Sequence, residues 1–239
     1  MKLVNSNQKE INQSKLLTKS AKQWAIKNWH YLTKVNTPLI NVNSSSKIAK
    51  GKKINLLTAI LYLKPADMVS TKTLCAGADL FGCKKDCLES SGQLGMKAGD
   101  NAKIKRTILF LLRQNDFMET MRSEILAHKK TAERKKQKFA VRLNGTSDID
   151  FSYIIKQRPN SQFYDYSKII SRIRKNTLSN YDLTFSASMY SVQSKKAFKT
   201  AVEREYKTAV AFNTKNVKGD ADLIPHTMIS FDNTDLRHL

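Results

Sequence analysis

Ten residues, Ile54 to Leu63 (INLLTAILYL), limit what this chain can become. The run is almost continuously apolar and partly β-branched, broken only by Asn55 and Thr58. A strand with one wet face alternates apolar and polar residues. A strand that is apolar throughout must be covered on both faces, which is the habit of parallel sheets. The run is far too short to cross a bilayer.

Beyond Leu63 the chain alternates between helix and strand. NAKIKRTILFLLRQ (Asn101–Gln114) predicts a helix capped at Asp100 or Asn101. A second helix is expected from an Asn115–Asp116 cap, with Phe117, Met121 and Ile125 four apart, running out in KKTAERKKQK (Lys129–Lys138). FAVRL (Phe139–Leu143), QFYDY (Gln162–Tyr166), YDLTFSAS (Tyr181–Ser188), TAVAFN (Thr208–Asn213) and HTMISFD (His226–Asp232) read as further strands. SKIISRIRK and KKAFKTAVEREY, lying between them, read as helices. Strands joined by helices argue for an α/β fold with a parallel sheet. A closed eight-stranded barrel takes about 250 residues. The chain after Lys53 is shorter, so the expectation is a partial parallel (βα) barrel of about six strands over residues 54–239.

Residues 1–53 differ in character and are read as a basic N-terminal extension and linker. They hold eleven lysines and one acid, Glu10, and SSSKIAKGKK (Ser44–Lys53) has the composition of a solvated linker. Trp24, Trp29, His30 and Tyr31 lie among those lysines. Such a mixture can bind nucleic acid by phosphate contact and base stacking. The near-helical spacing of Trp24, Ile26 and Trp29 favours instead an amphipathic helix that docks on the main domain. The whole chain carries a net charge of +22, which attracts polyanions. Lys129, Lys130, Arg134, Lys135 and Lys136 are the candidate nucleic-acid contacts, against the plainer reading of a solvated helix face. MKLVNSNQKEINQSK has no apolar segment of the kind that directs export, and no run is long enough to span a membrane. A cytoplasmic location with reduced thiols is therefore expected.

All three cysteines fall in one loop after the first strand. Cys75, Cys83 and Cys87 follow the pattern C-x7-C-x3-C. Cys83 and Cys87 are one helical turn apart. Gly77 and Gly82 let the backbone fold back toward Cys75. Three thiolates can hold an iron–sulfur cluster with one position open, or zinc with a fourth ligand. His30, His128, His226 and His238 are scattered and none stands at finger-like spacing from the cysteines. Three buried small hydrophobes are the alternative. In parallel architectures, functional groups collect at the carboxyl ends of the strands. Those ends supply Asn144, Ser147 and Asp148, then Asp165 and Tyr166, Ser186 and Ser188, Asn213 and Asp232 as candidate pocket residues. Phosphate-loop, zinc-protease and serine-hydrolase motifs are absent.

A cysteine trio after the first strand of a partial six-stranded barrel resembles the radical S-adenosylmethionine (SAM) enzymes. The usual C-x3-C-x2-C spacing is replaced here, and NGTSD stands where a GGE-like segment is common. That resemblance implies a 4Fe–4S cluster and SAM as cofactors. The segments LYLKPADM, C-x7-C-x3-CLESSGQLG, KIKRTILFL, VRLNGTSDI, FYDYSK, LTFSAS and FDNTDLR resemble a family of uncharacterised phage and mobile-element proteins, some labelled replication-associated. The likeness covers roughly residues 54 to 237 and implies phage origin, hence a host cytoplasm. The family pattern continues beyond Arg237, which implies a further strand or cap. Two functions are expected on these grounds. One is a phage-type iron–sulfur enzyme acting on nucleic acid or a nucleotide. The other is a non-enzymatic nucleic-acid-binding replication accessory with structural zinc or no metal.

Overall fold

The computed structural model describes residues 8–33, 38–42, 54–84, 87 and 97–210. Six strands form one sheet in chain order. They are β1 Ile40–Val42, β2 Leu56–Leu61, β3 Lys138–Arg142, β4 Gln162–Ser167, β5 Tyr181–Ser186 and β6 Thr208–Ala209. From β2 to β6 each strand runs parallel to the next. All six residues of β2 are buried, as its apolar run predicts.

Parallel neighbours require crossovers, and helices provide them. Helices α4 (Lys97–Leu112) and α5 (Gln114–Arg134) link β2 to β3. Then α6 (Ser152–Lys156), α7 (Ile170–Lys175) and α8 (Val192–Glu203) link the later pairs. The predicted cap at Asp100 lies one turn inside α4, where a carboxylate suits the positive end of the helix dipole. It pairs there with Lys64.

The expected α/β fold with a mostly parallel six-stranded sheet is found, without closure into a barrel. The fold is mixed α/β, but its sheet is open: β1 and β6 do not pair among the described residues. Moreover β1 comes from the segment read as an extension and is antiparallel, with Ile40 opposite Leu61 and Val42 opposite Ala59. An antiparallel neighbour needs no crossover helix, so a short segment can supply it. β6 is only two residues long. The expected strand His226–Asp232 and the linker Ser44–Lys53 lie outside the described residues.

The helices pack on one face of the sheet. Ala59, Leu61, Val141, Leu143, Phe163 and Leu183 meet Ile108, Phe117, Met121 and Ile125 there. The N-terminal helices α1 (Gln8–Gln13), α2 (Lys19–Lys27) and α3 (Trp29–Thr33) join the same core through Ile11, Ala21, Ala25 and Leu32. Trp24 and Trp29 pack against it, and Trp24 Nε1 donates to Asn101 Oδ1 at 3.2 Å. The docked-helix reading of these aromatics therefore describes the structure. Glu124 of α5 ties β1 in place: its carboxylate accepts from the Leu39 N–H at 2.9 Å and the Ile40 N–H at 2.8 Å. On the opposite face, Leu56, Ala140, Tyr164 and Tyr166 form a smaller cluster of strand residues alone.

Candidate functional site

The carboxyl ends of β2 to β5 make one rim, and the cysteine loop is stitched onto it. At the end of β3 the chain passes so close to β2 that Gly145 is required. A Cβ there would lie 2.6 Å from the Tyr62 ring and 2.7 Å from the Leu61 carbonyl oxygen. The Gly145 N–H donates to that same oxygen at 3.0 Å, and Thr146 Oγ1 donates to the Leu63 carbonyl. The loop then returns. Asp148 N–H donates to the Leu74 carbonyl at 2.9 Å, and Cys75 pairs with Asp148 as a parallel bridge. Farther on, Ser188 and Ser191 donate to the carbonyls of Phe81 and Leu80 at 2.9 and 2.8 Å. Gly82, with φ +71°, lies flat against the Tyr190 ring, 2.5 Å from where a Cβ would be. The described part of the loop is thus held over the sheet at Leu74–Cys75 and again at Leu80–Gly82.

The thiols differ in setting. Cys75 Sγ accepts from the Ala66 N–H at 3.3 Å and donates to the Thr146 carbonyl at 3.6 Å. Burial pushes its pKa up to about 11; the Ala66 N–H opposes this, while Asp148 and the other two thiols add to it. Cys83 is also raised, by burial first, while the Lys168 ammonium bonded to it pulls the other way. Each of Cys75 and Cys83 feels the charge of Cys87. Among the described residues no three His, Cys, Asp or Glu side chains converge closely enough to hold a metal ion. The chemistry of the donor set suits a thiophilic centre, and such binding would displace the thiol protons.

Beneath the loop lies a polar network. Asp165 is 2% exposed. It accepts from the Asn144 N–H at 2.9 Å, from Asn144 Nδ2 at 3.2 Å and from the Tyr181 hydroxyl at 3.3 Å. Burial raises its pKa to about 6 against the pull of Arg142, Asn144 and Arg172. Asn144 Oδ1 accepts from Ser147 Oγ and the Ile149 N–H at 2.9 and 2.8 Å. Asp148 accepts from Ser167 Oγ at 3.0 Å and the Lys168 N–H at 3.1 Å, and pairs with Arg172. Burial raises its pKa while Arg172 lowers it. Hence Asn144, Ser147, Asp148 and Asp165 are brought together, and their hydrogen bonds are spent on positioning the rim.

The remaining candidates divide. Tyr166 lies on the opposite face of the sheet, its ring 5.0 Å from the Arg142 guanidinium. Ser186 binds Lys168, whose Nζ donates to its hydroxyl at 3.2 Å and its carbonyl at 3.1 Å. Ser188 fastens the cysteine loop. Asn213 and Asp232 lie outside the described residues. Lys129, Lys130, Arg134, Lys135 and Lys136 are elsewhere: they end α5 and lead into the start of β3, at the amino ends of the strands. Sequence reading missed the cations Arg142, Lys168 and Arg172. Lys168 is the first residue past β4, a place where a rim residue could have been sought. Arg172 carries no such signal; it reads as one charge on a basic helix.

A family model described as Gene product 88 matches residues 7–238, nearly the whole chain. No curated protein matches, and no solved structure does. No helix among the described residues is long and apolar enough to cross a membrane.

Proposed function

Since the chain belongs to the gene product 88 family, we propose that it is a phage-type iron–sulfur enzyme acting on a nucleotide or nucleic-acid substrate. One observation carries the reading: the loop that holds all three thiols is fastened to the carboxyl rim of a parallel sheet, with Cys75 bridged to Asp148. Cys75, Cys83 and Cys87 would hold the centre. When bound, a cluster with three protein ligands would supply electron transfer to a ligand on its open iron, SAM being the candidate. Zinc is the alternative metal for the same thiols. Lys168, beside Cys83 and Ser186, puts a cation where a phosphate would sit. The Tyr166 ring, with Arg142 against it, offers a stacking surface near the end of β4. Arg172 and Asp148 keep β3, β4 and the loop in register.

The test is anaerobic production and reconstitution, followed by iron, sulfide and zinc analysis. Bound iron and sulfide with broad visible absorption are expected, and Ala at Cys75, Cys83 or Cys87 should abolish them. Zinc in place of iron would remove the enzyme reading. The second reading is a nucleic-acid-binding accessory protein. Its support is the net charge of +22, which a small-molecule enzyme does not need. Protein that binds nucleic acid while taking up no iron would favour it.

A further inference from the structure

A groove of about 200 Å3 opens at the end of the molecule away from the thiols. Ile125, Leu126 and Lys129 of α5 form one side, and residues 157–161, which come after α6, form the other. We infer that this groove seats a single-stranded nucleic acid, one base inside it and the phosphates along its basic lip. The inference rests on the nucleic-acid part of the reading above and is independent of its metal part.

Four features support it. First, the groove is preformed. Asn180 Nδ2 donates to the carbonyls of Ile155, Arg158 and Ser161 at 3.3, 3.0 and 3.1 Å, which fixes the wall. Second, its lining suits a base: Ile125 and Leu126 give an apolar floor, while Gln157, Asn160 and Ser161 offer donors and acceptors for base edges. Third, cations stand at the mouth. Lys129 and Arg158 line the groove, and the buried Nε–H of Arg158 has no hydrogen-bond partner among the described residues. Lys130, Arg134, Lys135 and Lys136 continue along the same helix and the turn after it, and all are exposed. Fourth, Tyr153 of α6 is 67% exposed and has Arg122 of α5 5.3 Å from its ring centre. Arg122 orients the ring and leaves area for stacking. A stacking platform beside a pocket of single-base width selects unpaired bases, because a duplex hides its base faces. An acidic peptide would use the cations but would gain little from the platform.

Fluorescence anisotropy of the full chain with a labelled 12-nucleotide single strand tests the proposal at several salt concentrations. Binding should weaken steeply with salt. Tyr153→Ala should weaken it by about five- to hundredfold, the range of a lost base stack. Tyr153→Phe should restore it, which a fold defect would not allow. Arg158→Ala and Lys129→Ala should each flatten the salt slope by about one phosphate. Val192→Ala, an exposed change at the start of α8 on the rim side, should leave affinity unchanged, which separates this groove from the rim. Equal affinity for a 12-base-pair duplex, displacement of the strand by polyglutamate, or indifference to Tyr153→Ala and Arg158→Ala would each overturn the proposal. If the wild-type chain binds no single strand at all, the nucleic-acid reading itself falls, whatever the iron analysis gives.

Discussion

Replacing Asp165 by asparagine should change how this part of the molecule responds to pH. An ordinary aspartate titrates near 3.8, and burial moves Asp165 to about 6. In the folded state the carboxyl therefore holds its proton over a range in which the unfolded chain has released it. Stability falls with pH wherever the folded state binds more protons. The contribution of Asp165 is thus greatest below about pH 4 and is lost as pH rises through about 6. At about 1.36 kcal/mol per pH unit, the gap corresponds to roughly 3 kcal/mol. An asparagine side chain cannot titrate, so the variant lacks this slope. Urea unfolding of both proteins at pH 4, 5, 6 and 7 isolates the effect, because every other group cancels in the difference. Wild type minus D165N should fall by roughly 2.4 kcal/mol from pH 4 to 7, with most of the change below 6. The opposing interactions are Arg142 and the two bonds from Asn144. A difference that stays flat, or rises with pH, would mean that these donors outweigh desolvation and that the folded carboxyl titrates at or below its ordinary value.

The packing leads to three further outcomes. Arg172→Met should cost about 3–5 kcal/mol in chemical denaturation, since it leaves Asp148 buried without its cation; the double change with Asp148→Asn should recover a good part of this, and a strictly additive pair would argue against coupling. Gly145→Ala should destabilise by about 1–3 kcal/mol, because the new methyl meets the Leu61 carbonyl as well as the Tyr62 ring; an unchanged midpoint would show that the β2–β3 crossing is looser than described. Trp24→Ala should cost about 3 kcal/mol, whereas Trp24→Phe, which loses mainly the bond to Asn101, should cost about 1; equal losses would mean that the indole does not pack.

Strands β2 to β5 were legible because each is a compact run of apolar, aromatic or β-branched residues, and their predicted limits lie within two residues of those observed. The helices α4 and α5 announced themselves through repeated apolar spacing, Phe117–Met121–Ile125 above all. β1 was not legible. It is three residues long, set in a stretch rich in Lys, Asn and Ser, and it becomes a strand only because β2 offers an edge and Glu124 takes up its N–H groups. The five-residue α6 fails for a similar reason. It is too short to show a period. At the rim, strand ends pointed to Asn144, Asp148 and Asp165. The cations that complete the network could not be read, because one more Lys or Arg is uninformative in a chain with 42 of them. The parallel sheet was legible from strand–helix alternation, whereas alternation and chain length carry no information about how far a sheet curls.

The carboxylate of Glu124 also helps close off one border of the sheet. The border of a sheet is a template for adding foreign strands, and that is how many proteins aggregate. β2, apolar along its whole length, would be a dangerous border. β1 covers it, and β1 in turn is short, has a polar residue at Asn41, and has the N–H of Ile40 already bonded to Glu124. The same few atoms that anchor the N-terminal segment thus withhold a nucleation site for cross-β growth. Loss of β1 would open that border to pairing with other copies.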